Sequence, residues 1–320
     1  MELRHLRYFL AVAEEENFHR AAERLHVAQP ALSRQIKALE EALGVQLFDR
    51  LPRGIKLSAP GQAYLEDVRR ILGDVTRAQD RARRVAQGQL GQVRIGFNEI
   101  AARQPYLPGF FQATRAGFPD IDMKLTLLVS QLQLDALRTG QIDAGFLFHR
   151  PPGDDELNAI HIDTDNYAIA MPRTHPLAAR RNLRLADLRD EPFIMMSQHI
   201  NRMLYDRLLA ACVAGGLVPR QVHEANNEYA IVNLVAAGVG LAFLNRSFNA
   251  HTLPAVVLHE VEDFSVPVEL ELVWRRDNRS PALARFVETV AASAQVTGRR
   301  VDAAEVSARH QHGIGGEPAA

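Results

Sequence analysis

Gln29, Ser33, Arg34 and Lys37 recur at a spacing that places all four on one face of a helix. Each carries a side chain able to hydrogen-bond a base or a phosphate. A glutamine amide matches the edge of adenine and an arginine fork matches guanine, so the face suits a nucleic-acid groove. Chemistry of the catalytic kind finds no comparable set. The chain holds no GxSxG and no HExxH, and its Ser, His and Asp residues fall in no order that places a nucleophile beside a base. The single cysteine, Cys212, excludes an intrachain disulfide, a CxxC pair and a cysteine zinc cluster. It lies in the apolar run Leu208–Ala214, which predicts a buried core thiol. His310 and His312 make at most a weak metal pair within a polar, Gly-rich tail. No catalytic residue, cofactor or metal site is assigned.

The elements that must hold this face are helices. Leu6, Phe9, Leu10 and Ala13 form an apolar stripe on a first helix, and Asn17 is a suitable N-cap for a second, over about Phe18–Leu25. The small pair Ala21-Ala22 allows close approach. Pro30 sits where the first turn of a third helix tolerates proline; that helix runs to Leu43 and stops at Gly44. Its core stripe is Leu32, Ile36, Leu39 and Leu43, opposite the polar face. This arrangement predicts a helix-turn-helix whose third helix enters a major groove N-terminus first. Val45 to Ser58, broken by Pro52 and Gly54, predicts a β wing, with Arg50, Arg53 and Lys56 placed for phosphate or the minor groove.

A long helix is expected from Ala59 to Gly88. Leu65, Val68, Leu72, Val75, Gln79, Ala82 and Ala86 alternate by three and four, the heptad seam of a helix that pairs with another. From Val93 the period changes. Apolar runs at Val93–Phe97, Met123–Val129, Ile142–Phe148, Tyr167–Met171, Phe193–Met196 and Leu241–Leu244 predict strands. Helical segments fall near Tyr106–Gly117, Gln131–Thr139, Ile200–Ala214, Ala230–Ala236 and Pro281–Ala294, giving the alternation of an open α/β sheet.

Charge follows the same division. The 320 residues carry 37 Lys+Arg and 38 Asp+Glu, a net of −1 that argues weakly against a nucleic-acid partner. Residues 1–94 hold 16 basic and 12 acidic residues, a net of +4, and residues 95–320 hold 21 and 26, a net of −5. The basic excess therefore accompanies the predicted helix-turn-helix. No run approaches the roughly 20 apolar residues of a membrane span, and the N-terminus carries no signal-peptide core. A cytoplasmic protein with no membrane partner is expected.

The stretches Leu3-Arg4-His5-Leu6-Arg7-Tyr8-Phe9, Asn17-Phe18, Ala21-Ala22-Glu23-Arg24-Leu25, and Gln29-Pro30-Ala31-Leu32-Ser33-Arg34-Gln35-Ile36-Lys37-Ala38-Leu39-Glu40 resemble the LysR-type transcriptional regulators. The likeness continues through Leu43-Gly44, Leu47-Phe48-Asp49-Arg50, Leu57-Ser58 and Gly61, with Ser58 where the family often has Thr. Ile142-Asp143-Ala144-Gly145-Phe146, His175-Pro176-Leu177-Ala178 and Leu234–Gly240 are further landmarks.

The resemblance implies a fold of three parts. A winged helix-turn-helix DNA-binding domain spans 1–58 and a linker helix 59–88. A periplasmic-binding-protein-like (type II) α/β effector domain of two subdomains spans 89–298, with subdomain one at 92–163 and 266–295 and subdomain two at 164–265. A disordered tail is expected over 299–320. The implied function is a transcriptional regulator that binds double-stranded DNA as a homodimer or homotetramer, contacts RNA polymerase and responds to a small-molecule effector, by default a small organic or aromatic acid. Gln29, Pro30, Ser33, Arg34, Lys37, Arg50 and Arg53 would meet DNA. Leu65, Val68, Leu72, Val75 and Ala82 would pair subunits. Asn98, Glu99, Ile100, Ser130, Phe148, Met195, Ser197, His199, Asn201, Asn227 and Phe243 would surround the effector between the subdomains. The loop after the first strand often carries small hydroxyl residues in the family; here it is Asn98-Glu99, a carboxylate that would repel an acid, pair with a base or face solvent. The alternatives are a constitutive regulator without effector response and a solute-binding protein, against which the N-terminal helices speak.

Overall fold

Asn17 separates the first two helices because its Oδ1 accepts the amides of His19 at 2.8 Å and Arg20 at 3.2 Å. The helices it divides are α1 (Leu3–Glu15) and α2 (Phe18–Leu25). In the computed structural model, which describes residues 1–51, 54–148, 150, 153–251 and 253–296, α3 (Gln29–Leu43) follows after a tight turn at His26, whose φ is 54°. Gly44, at φ 71°, ends α3 in the left-handed region. Leu6, Phe9, Val12, Ala21, Ala22, Leu32, Ile36 and Leu39 are buried together.

The wing is the antiparallel pair β1 (Phe48–Leu51) and β2 (Gly54–Leu57), in register from Phe48↔Leu57 to Leu51↔Gly54. Glu40 Oε1 accepts the amides of Leu47 at 2.8 Å and Phe48 at 3.2 Å, tying the wing to α3. Ser58 donates to Gln46 O at 2.7 Å and accepts Gly61 N at 3.0 Å, starting the 28-residue α4 (Ala59–Ala86). Gly61 has no room for a side chain, because a Cβ there would lie 2.0 Å from Leu47 O.

The pairing seam read from the sequence needs correction at its first two positions. Leu65 is 5% exposed and Val68 is fully buried, both in the core beneath α1 and the wing. They stabilise their own unit and are not available to a partner helix. Leu72 also packs partly against this core. Val75 is half-buried and Ala82 exposed. One compact unit spans Met1–Arg84, so α4 belongs with the winged helices, and a second unit begins at Val85.

The second unit contains two five-stranded sheets. Its elements are β3 (Leu90–Phe97), α5 (Glu99–Ala102), α6 (Leu107–Gly117), β4 (Asp120–Leu127), α7 (Ser130–Arg138), β5 (Ala144–Phe148), β6 (Leu157–Asp165), β7 (Tyr167–Pro172), β8 (Pro192–Met196), α8 (Arg202–Ala214), β9 (Arg220–Ala225), α9 (Glu228–Ala236), β10 (Leu241–Asn245), β11 (Val256–His259), β12 (Val268–Arg275) and α10 (Pro281–Val296). The first sheet runs β4-β3-β5-β12-β6, with β3 parallel to both β4 and β5, and β12 antiparallel to its neighbours. The second runs β11-β7-β10-β8-β9, with β8 parallel to both β9 and β10. The chain passes between sheets twice, at Asn166 and near Val266. Asn166 joins the two crossings, accepting Val266 N at 2.7 Å and donating to Ser265 Oγ at 3.0 Å.

Two polar contacts fix the parallel core of the first sheet. Asp143 accepts Arg94 N at 2.8 Å, Nε at 3.0 Å and Nη2 at 2.8 Å. Burial pushes its carboxyl up, but these bonds outweigh burial and hold it below the usual range. Gln133, fully buried on α7, donates to Leu128 O at 2.9 Å and Phe146 O at 3.1 Å. A Cβ on Gly145 would lie 2.5 Å from its Oε1, so this glycine is needed for close approach.

Candidate functional site

On the first unit, α3 turns its apolar stripe inward and its polar stripe outward. Gln29, Pro30, Arg34 and Lys37 are exposed and Ser33 is half-buried. Gln35 is withdrawn from this face, since its Oε1 lies 2.7 Å from His5 Nε2 on α1. Lys37 Nζ lies 3.7 Å from Glu41 Oε1, an exposed contact that water and salt weaken. Lys56 on β2 is exposed. The Arg50 side chain and all of Arg53 lie outside the described residues.

On the second unit, a cavity of about 330 Å³ opens between the two sheets. Asn98, Glu99, Ile100, Ser130, Asn201 and Asn227 line it, which brings six of the predicted effector residues together. Three are held there as caps. Asn98 Oδ1 accepts Ala101 N at 2.8 Å, Asn201 Oδ1 accepts Leu204 N at 3.0 Å, and Asn227 Oδ1 accepts Ala230 N at 2.8 Å. Ser130 differs. As the first residue of α7, its Oγ accepts Phe148 N at 3.2 Å and Asn98 Nδ2 at 3.3 Å, so the hydroxyl joins the ends of β3 and β5. It is not the N-cap that a serine at a helix start suggests; that position is Val129, which offers no capping oxygen.

A larger, more open groove of about 1000 Å³ shares Ser130 and Asn201 with this cavity and adds Phe148 and His199. Ser197 is 1% exposed and lines neither space; its Oγ lies 2.7 Å from His199 Nδ1. Met195 and Phe243 also line neither, and only reach a void of about 20 Å³. Phe243 stacks on Phe193 at 5.3 Å and packs against Phe264 at 5.2 Å. Ser197, Met195 and Phe243 are therefore corrected from effector contacts to support behind the cleft wall.

Sequence reading missed Tyr167, Leu204 and Glu228 in the cavity wall. It also missed Arg103, whose guanidinium pairs with Glu228 across the subdomains; the two side chains are 8% and 5% exposed. Arg103 lies 4.4 Å from the Phe248 ring centre, and its Nη1 is buried with no hydrogen-bond partner among the described residues. Gln104 Nε2 donates to Ser247 Oγ at 3.2 Å, a second bond across the cleft. Burial pushes the Glu228 carboxyl above its ordinary range despite Arg103, with Glu99 and Asp165 adding to the shift. Burial does the same to the Tyr167 phenol, which Glu228 and Asp165 reinforce. Nothing near Arg103 in the sequence forms a motif, and Glu228 follows a strand with no apolar run.

Among the described residues no cluster of three His, Cys, Asp or Glu is placed to hold a metal, and no helix is long and apolar enough to cross a membrane. Two family profiles match nearly the whole described chain: "Bacterial regulatory helix-turn-helix protein, lysR family" over residues 3–62, and "LysR substrate binding domain" over 86–295.

The chain belongs to the LysR family.

It is a LysR-type DNA-binding transcriptional regulator with an effector-binding domain. The regulator AlsR of Bacillus subtilis (strain 168) is 35% identical over 290 residues, covering 90% of this chain and 94% of AlsR. The regulator TcbR of Pseudomonas sp. (strain P51) is 33% identical over 297 residues, covering 92% of this chain and all of TcbR. Among solved structures, full-length CbnR complexed with its target DNA superposes with a TM-score of 0.76 at 32% identity, covering 92% of this chain and all of CbnR. The helix-turn-helix match covers α3, and the substrate-binding-domain match covers both five-stranded sheets and the cavity between them.

Proposed function

We propose that this protein is a cytoplasmic, non-enzymatic regulator that reads DNA with Gln29, Ser33, Arg34 and Lys37 and takes a small acid in the 330 Å³ cavity. A CbnR structure with its target DNA supports the first part, because α3 matches that fold and its polar stripe faces outward. The cavity volume is at the small end for ligand sites. The observation that carries the acid is the start of α7. Four helices begin at the cavity, and Asn98, Asn201 and Asn227 cap three of them. Only α7 starts without a capping side chain, leaving the positive end of a nine-residue helix open beside the Ser130 hydroxyl. The charged residues in the lining are Glu99 and Glu228, so the uncapped start of α7 is the part of the wall that favours an acid group.

Subunits pair through α4. With Leu65 and Val68 assigned to the core, the seam is redrawn on a neighbouring stripe, Ile71, Val75, Ala78, Ala82 and Val85, which keeps Val75 and Ala82 and alternates by four and three. Ile71 and Val85 are 38% and 43% exposed, so both are open to a partner helix.

The DNA assignment is tested by selecting binding sites for the full chain from random duplexes and then measuring Arg34→Ala on the selected site. The substitution weakens binding by about 1–3 kcal/mol and relaxes selectivity at one base pair, as loss of a forked base contact does. Unchanged affinity and selectivity would remove Arg34 from the recognition set.

A further inference from the structure

We propose that the buried Arg103–Glu228 pair is a latch between the two effector subdomains, with Glu228 the residue through which the cleft senses what occupies it. The inference rests on the 330 Å³ cavity being the effector site and goes beyond it, because it gives the pair that joins the subdomains there a role in the response.

Arg103 closes α5 and belongs to the first sheet's side; Glu228 opens α9 on the second sheet's side. Both are nearly sealed from water, at 8% and 5% side-chain exposure. Charges so placed depend on each other, since removing one partner leaves the other buried and uncompensated. Glu228 also forms part of the cavity wall, so one residue both borders the ligand space and holds the guanidinium. Opposing influences meet at this pair: burial works most strongly against the charged carboxylate, Arg103 favours it, and Glu99 and Asp165 add repulsion. A further negative charge in the cavity adds to the repulsion and loosens the pair, whereas a neutral occupant leaves it. Arg103 has a second buried nitrogen, Nη1, without a partner among the described residues, so its bonding is incomplete in this arrangement. The neighbouring Gln104–Ser247 bond lies on the same seam and would move with it. A two-state contact of this kind gives a ligand something to bias, which a conformational response requires.

The test is a double-substitution cycle read as a distance between subdomains in the full chain. Spin labels are placed at Ala116→Cys on α6 and Ala186→Cys in the short turn Leu185–Leu188, both exposed; Cys212 is buried and remains unlabelled. Without ligand, Glu228→Gln and Arg103→Gln each shift or broaden the distance distribution, because each strands one buried charge. Their combination, which strands none, returns toward the parent distribution. Unchanged distributions in both single variants would overturn the latch. So would a double variant displaced by the sum of the singles, since that marks packing and not charge. If Arg103→Gln does not fold, the near-isosteric Glu228→Gln decides alone: a shift supports the latch and no shift overturns it. The measurement needs no ligand, so its failure leaves the acid site at α7 standing.

Discussion

At the scale of single residues, the same side-chain type does different work according to what surrounds it. Ser58 caps α4, whereas Ser130 joins the ends of β3 and β5 and leaves its helix uncapped. Ser197 is buried behind the wall. Sequence position alone separates none of these, because the partners come from distant strands. Cys212 is a simpler case. Burial pushes its thiol up to about 12, so the reactive thiolate is absent at ordinary pH. At pH 8 the native protein is expected to resist thiol reagents until denaturant is added, and rapid labelling of the native chain would show that this helix opens. The thiol is thus placed for packing and not for redox sensing.

At the scale of elements, legibility follows periodicity. The turn after Asn17, the start at Pro30 and the stop at Gly44 were readable because capping chemistry is local. Six strands were readable as apolar runs. β9 was not, since five of its six residues are exposed, and β11 has only four residues. β12 does alternate, with Val268, Leu270 and Leu272 buried, but its Glu269 and Glu271 interrupt any continuous run. The heptad on α4 was readable, yet it serves two surfaces. Its first positions pack inward and its later ones do not, and spacing cannot divide them. The division makes a prediction. Ile71→Asp with Val75→Asp lowers the dimer fraction in sedimentation and leaves the circular-dichroism melt of the winged unit nearly unchanged. Val68→Asp instead lowers that melt sharply, because it buries an unpaired charge. Equal effects from both would return Val68 to the pairing surface.

At the scale of the whole molecule, charge and topology divide the labour. The net +4 of residues 1–94 accompanies the DNA face, and the net −5 of the remainder accompanies the unit that holds the cleft. The cleft exists because the chain crosses between two sheets and returns, so strand ends and helix starts from both converge on one space. Six candidates there were legible because they follow predicted strands or open predicted helices. Arg103 and Glu228 were not, since a pair 125 positions apart has no signature in one sequence.

Control of this DNA-binding protein is proposed to rest on a small acid held at the uncapped start of α7. Thermal melting of the full chain against a panel of small carboxylic acids and their matching amides tests it most directly. The expected result is that at least one acid raises Tm, its amide does not, and Ser130→Ala loses the shift. Stabilisation by amides or amines but by no acid, or a shift that survives in Ser130→Ala, would contradict it.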